Sequence, residues 1–219
     1  MKTIARVSAI DALHPDRRII ARSADMLRRG AVVVFPTRGL YGLGADAFNA
    51  RAVERIFDLK GRNPAKPLLV LVDSLEMIAR IARPLNALAR HLMASFWPGR
   101  VTLVVPARDD LPVGLTGGGT IGVRLVAHPV AVALVAALGS PLTGTSANLS
   151  GAPGCAAVDQ HDPAIRDAAD LVLDAGLLAG GPGSTVVDVT GDVPVILREG
   201  VVAAAEIMAA FDRFTAATY

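Results

Sequence analysis

Short β-branched runs alternate with amphipathic stretches through most of this chain, and that alternation sets its class. Ala31 to Phe35 is a continuous apolar run closed by Pro36, as expected of a buried strand. Asn49 stands where a helix N-cap belongs, Val53, Ile56 and Phe57 share the following helical face, and Gly61 falls just past the last turn. Leu68 to Val72 reads as the next strand. Asp73 and Glu76 have the spacing of a capping box for a helix through Ile81, and a second helix, Leu85 to Phe96, stops at Trp97-Pro98-Gly99. Val101 to Val105 and Thr120 to Leu125 are strands around a turn-rich stretch ending in Gly117-Gly118-Gly119. Pro129 opens a helix to Leu138, its φ already suited to the first helical position. Leu142 to Thr145 leads into a polar loop, Ser146 to Gly154. Thr185 to Val189 and Val195 to Arg198 are further strands, and Ala203 to Phe214 a closing helix. Apolar runs interleaved with helices predict an α/β sheet covered by helices. No internal repeat or linker interrupts the pattern, so one domain over residues 1–219 is expected.

Composition narrows the picture. In 219 residues, 52% are hydrophobic and 19% charged, which supports a sizeable core and argues against disorder. A formal charge of +2 without a long Lys/Arg block permits a nucleotide or RNA partner without demanding one. The single cysteine, Cys155, excludes an internal disulfide and fits a reducing compartment. The N-terminus lacks a secretory pattern, and the longest apolar run, Val130 to Leu138, is far short of the roughly 20 residues that span a bilayer. A cytoplasmic protein without a membrane partner is the expectation. His14, His91, His128 and His161 share no metal-ligand spacing and are assigned to the surface or to helix caps.

Candidate chemistry lies in five segments. Pro36-Thr37-Arg38-Gly39-Leu40-Tyr41-Gly42-Leu43-Gly44 follows a strand, offering glycines for close backbone approach and the hydroxyls of Thr37 and Tyr41. The order of glycines does not match a dinucleotide fingerprint, and no P-loop motif occurs. Only three lysines stand against nineteen arginines, and two of them fall in Lys60-Gly61-Arg62-Asn63-Pro64-Ala65-Lys66-Pro67. Compact ammonium groups suit phosphate oxygens. Lys60 and Arg62 could equally dress a helix C-terminus, whereas Lys66, four residues beyond Arg62, is not explained that way. In Gly117-Gly118-Gly119-Thr120-Ile121-Gly122-Val123-Arg124, Thr120 and Arg124 share one strand face. An arginine there wants a carboxylate or phosphate, or a structural ion pair. Thr143-Gly144-Thr145-Ser146-Ala147-Asn148 forms a hydroxyl-rich strand end suited to phosphate oxygens or to a turn. Gly183-Ser184-Thr185 and Arg198-Glu199-Gly200 repeat the placement of polar groups at strand rims.

Taken in order, these segments resemble the YrdC/YciO family, over about Ala31 to Gly200. The resemblance implies a twisted mixed sheet with helices packed on it and an open basic cavity. It implies a synthase that joins L-threonine, bicarbonate and ATP into threonylcarbamoyl-AMP, releasing pyrophosphate, for a threonylcarbamoyl modification of adenosine in tRNA. Mg²⁺ would be carried chiefly by the ATP phosphates, and no protein metal site is expected. Partners would be tRNA or double-stranded RNA and the tRNA threonylcarbamoyl-transfer machinery. By position, Lys60 and Arg62 would be catalytic, facing the triphosphate with Lys66. Thr120, Ser146, Asn148 and Arg198 would hold the nucleotide. Arg124 would grip the threonine carboxylate, with Thr37, Tyr41, Gly144 and Ser184 nearby. Some members carry a further C-terminal domain, for which the chain after Gly200 is too short. Departures fall at the amino-acid end. The usual Pro-Thr-x-Thr-x-Tyr-Gly-Leu has its second threonine replaced by Gly39, after Arg38, and Leu71 stands where many relatives have histidine. A paralogue with another substrate and a non-catalytic RNA-binding protein remain open at this stage.

Overall fold

A computed structural model describes residues 6–63 and 65–216. Its strands are β1 (Arg6–Ala9), β2 (Val33–Pro36), β3 (Tyr41–Gly44), β4 (Val70–Val72), β5 (Val101–Pro106), β6 (Thr116–Gly117), β7 (Thr120–Leu125), β8 (Leu142–Thr143), β9 (Thr145–Ser146), β10 (Leu171–Asp174), β11 (Thr185–Asp188) and β12 (Val195–Arg198). Its α-helices are α1 (Arg17–Arg28), α2 (Ala50–Lys60), α3 (Leu75–Ala79), α4 (Ala87–Phe96), α5 (Pro129–Leu138), α6 (Pro163–Ala168) and α7 (Ala204–Ala216).

The strands form two mixed sheets, ordered β1-β10-β2-β3-β9 and β12-β11-β5-β7-β4-β8, with β6 beside β7. The chain crosses between them at Gly144, the single residue separating β8 from β9. The seam is stitched where β3 ends: Thr143 N donates to Ala45 O, and Ala45 N donates to the Thr143 hydroxyl, both at 2.9 Å. A Cβ at Gly144 would fall within 3.0 Å of Leu71 and Leu69, so only glycine fits this crossing. Helices cover the sheets, α1 packing on α5 and α4 on α7.

Local chemistry sets the helix ends. Asn49 Oδ1 accepts from Ala52 N at 3.1 Å, and Gly61 closes α2 in the left-handed region at φ 54°. Asn86 caps α4 through Ala89 N at 2.7 Å. α3 differs from the expected pattern by one residue: Ser74, not Asp73, accepts from Met77 N. β3 is a second difference. The glycine-rich stretch after β2, for which no strand was expected, contains one antiparallel to β2, with Tyr41 and Leu43 fully buried. The strands β1 and β10 and the helices α1 and α6 lie outside the sequence expectations.

The core runs through Phe35, Ile56, Leu71, Leu103 and Leu134, all at most 1% exposed. Truncating such a residue costs about 2–5 kcal/mol, from lost transfer energy and the cavity left behind. Phe35→Ala would reach the site, because its ring lies against the positions of Gly42 and Gly44 on β3.

Candidate active site

A cavity of about 990 Å³ opens along the seam between the sheets. The β2–β3 hairpin contributes Thr37, Arg38, Gly39 and Tyr41. The segment after α2 contributes Arg62 and Lys66, β7 contributes Gly122 and Arg124, and the seam Gly144, Ser146 and Asn148. Ala179 to Ser184 and Arg198 complete the wall. Five lining residues are Arg or Lys and none is Asp or Glu.

These cations are set in distinct ways. On β7, Ile121 and Val123 are fully buried while Gly122 and Arg124 take the alternate, cavity-facing positions. Arg124 has no carboxylate and no hydrogen-bond acceptor among the described residues. Burial, then repulsion from Arg198, draws its pKa down to about 10. Arg62 is pinned: Nε donates to Lys66 O at 2.8 Å and Nη2 to Pro67 O at 3.0 Å. Burial and then Arg198 lower its pKa as well. Arg198 itself donates to Ser184 O at 2.7 Å. Lys66 is exposed at the rim.

Two expected ligand residues are elsewhere. Lys60 is 2% exposed and does not line the cavity; its ammonium donates to the carbonyls of Ser146 and Asn148. Burial, with Arg62 adding repulsion, pulls its pKa down to about 8. In the structure Lys60 braces the Ser146–Asn148 segment from behind, and that segment lines the cavity. Thr120 is also absent from the lining, because its hydroxyl is turned to Gly117 O at 2.6 Å and closes the glycine turn.

Several lining residues are already engaged. Tyr41 reaches the cavity, but its hydroxyl donates to Gly176 O (2.7 Å) and accepts from Ala175 N (2.9 Å), and burial pushes its pKa up to about 12. It latches a segment rather than offering a donor to a ligand. Thr37 donates to Leu40 O at 2.6 Å, Asn148 Nδ2 turns to Leu149 O, and Ser184 shares a hydrogen bond with Thr102.

The latched segment runs from Gly176 to Gly183, and all of it before Gly183 lies outside the sequence expectations for the site. It crosses directly over Gly39: Gly180 N donates to Gly39 O at 2.8 Å. A Cβ at Gly39 would lie under 3.0 Å from the Gly180 carbonyl oxygen. The space that a side chain would take at this position is filled by backbone. Four glycines in eight residues are the only local signal of such close approach.

The family model Sua5/YciO/YrdC, described as "Telomere recombination", matches residues 25–200. The chain belongs to the Sua5/YciO/YrdC family. It is 38% identical over 198 residues to a protein of Bacillus subtilis (strain 168) named threonylcarbamoyl-AMP synthase, covering 89% of this chain and 57% of that relative. The P. abyssi Sua5 structure complexed with L-threonine superposes with a TM-score of 0.86 at 34% identity, over 93% of this chain and 60% of that one. E. coli YciO superposes with a TM-score of 0.79 at 28% identity, over 91% and 97%. The chain thus spans a little over half the length of its curated Bacillus relative. The twisted, mixed α/β architecture expected of the family is the one observed.

Proposed function

We propose that this protein condenses L-threonine, bicarbonate and ATP to threonylcarbamoyl-AMP and pyrophosphate. One observation carries the reading: Arg124, half-buried on the cavity wall and without an anionic partner among the described residues, shares a cavity with the cations Arg62, Lys66 and Arg198. An α-carboxylate at Arg124 and a triphosphate along Arg62 and Lys66 supply the charge that this wall lacks. Similarity to relatives named threonylcarbamoyl-AMP synthase supports this pairing of ligands.

In this reading the threonine amine adds to the carbon of CO₂ derived from bicarbonate and loses a proton, giving a carbamate. A carbamate oxygen then attacks the α-phosphorus as the bond to pyrophosphate breaks. The protein's part is positioning and charge neutralisation. Cys155 is buried, donates to Gln160 O and lies outside the cavity lining, so no thiol attacks. The lining holds no carboxylate, and no cluster of three His, Cys, Asp or Glu occurs among the described residues. The donor set does not fit a protein-held Mg²⁺; the ion would arrive with the ATP, on phosphate oxygens and water. The adenylate would be consumed by transfer to adenosine in tRNA.

Pyrophosphate release by purified protein tests this directly. Release should require ATP, threonine and bicarbonate together, and a threonine-independent background alone would overturn it. Arg124→Ala should lose about 2–5 kcal/mol at the carboxylate, at least about 30-fold in kcat/KM for threonine, while ATP still binds.

A further inference from the structure

Beside the main cavity lies a small alcove of about 20 Å³ that shares Thr37, Arg38, Gly99 and Arg124 with it; the Thr37 hydroxyl is already donated to Leu40 O. Its remaining walls are apolar, Leu71 of β4 with Val126, Ala127 and Ala131 around the start of α5, together with the ring of His128. A space of this size holds the centre of one small group, a methyl or a hydroxyl, and nothing longer. It therefore suits the branch of a short side chain whose carboxylate sits on Arg124.

The ring of His128 is oriented by a backbone duty. Its Nδ1 accepts the Val130 N–H at 3.2 Å, which is the N-cap of α5. With Nδ1 an acceptor, the proton of the neutral imidazole sits on Nε2. Nε2 has no partner among the described residues. Burial lowers the His128 pKa, which favours that neutral, single-donor form at pH 7. An apolar alcove, one oriented N–H donor and a carboxylate-seeking arginine together match the three substituents of a β-hydroxy, β-methyl amino acid.

We propose that His128 is a specificity-determining residue of the amino-acid end, its Nε2–H donating to the substrate β-hydroxyl while the Leu71–Val126–Ala131 alcove receives the β-methyl. The assignment rests on the reading of Arg124 given under the proposed function. It makes threonine favoured over valine by the hydrogen bond and over serine by the methyl contact.

His128→Asn isolates the hydrogen bond, because asparagine is itself a strong N-cap and keeps the start of α5. We expect kcat/KM for threonine in pyrophosphate release to fall about 10- to 100-fold. Valine, read as kcat/KM or as Ki if it does not react, should change less than about twofold, with KM for ATP and Tm unaltered. Ala131→Val, which fills the alcove, should reduce the threonine-to-serine preference several-fold without touching the hydrogen bond. A threonine-to-valine ratio preserved in His128→Asn overturns the role of His128, and an unchanged threonine-to-serine ratio in Ala131→Val overturns the alcove. Absence of threonine-dependent release in the unmodified protein overturns the proposed function and this inference with it.

Discussion

Replacing Lys60 by methionine should change how stability depends on pH, in a direction fixed by where its ammonium lies. The clamp on Ser146 and Asn148 has two opposing energies. Stranding two buried carbonyls costs about 1–3 kcal/mol each. Removing a cation whose pKa is drawn from 10.5 to about 8 returns about 3 kcal/mol at neutral pH. These nearly cancel, so the absolute stability of Lys60→Met is a poor readout and the pH slope a good one.

Between pH 8 and 10.5 the unfolded chain binds the Lys60 proton and the folded protein has released it, so stability rises with pH across that window. Integrated from pH 7.5 to 9.5, the single group contributes about 2 kcal/mol, or about 4–8 °C in Tm for a chain of this size. Cys155, whose pKa burial raises, and Tyr41, pushed up to about 12, act with the opposite sign, since their unfolded forms ionise first. Both residues remain in the variant and largely cancel in the difference. Urea unfolding can be followed through Trp97, the only tryptophan, whose Nε1 donates to Val101 O at 2.8 Å. The wild-type-minus-variant stability should grow by about 2 kcal/mol from pH 7.5 to 9.5. A difference flat across that range would place the ammonium in water, available to a triphosphate, and refute the clamp.

Tyr41→Phe removes the acceptor for Ala175 N and the donor to Gly176 O; it should destabilise by about 1–3 kcal/mol and speed protease cleavage between residues 176 and 183. Unchanged cleavage would show that the latch does not hold the segment. Gly39→Ala must displace the Gly180 carbonyl, costing about 1–3 kcal/mol as overpacking. Because the displaced segment lines the cavity, kcat/KM in pyrophosphate release should fall at least about 10-fold, and full activity would remove this segment from the site.

Much of the site was legible because its residues lie at strand rims and helix ends, which local patterns mark. Arg124 followed from alternation on β7, and α2 from Asn49, its apolar face and Gly61. The burial of Lys60 was signalled in the sequence: it falls four residues after Ile56 and seven after Val53, on the face that α2 buries. Reading it as a helix-end cation overlooked that face. α1 carried a similar signal, the Asp16 cap followed by Ile20, Ala24 and Leu27 at spacings of four and three. By contrast, nothing local could reveal that Gly180 lies over Gly39, since that contact joins segments 141 positions apart. β1 gave no signal either, being four residues long and mostly exposed at the edge of its sheet.

The lysine-containing run after α2 turns out to divide its labour by burial. A guanidinium is a planar fork that demands acceptors in its plane, whereas an ammonium is compact and donates in three directions. Inside the wall, three oxygens around Lys60, from Ser146 O, Asn148 O and the Asn148 side chain at 3.5 Å, suit the ammonium. At the wall's surface Arg62 needs a fixed plane, which the carbonyls of Lys66 and Pro67 give it. At the rim Lys66, with no side-chain partner among the described residues, keeps the flexible stem that can follow a phosphate. Arginine at 60 would therefore disturb the site as much as alanine would, and charge alone at that position is not what the fold requires. The Ser146–Asn148 segment links the buried lysine to the cavity, through the carbonyls that Lys60 holds.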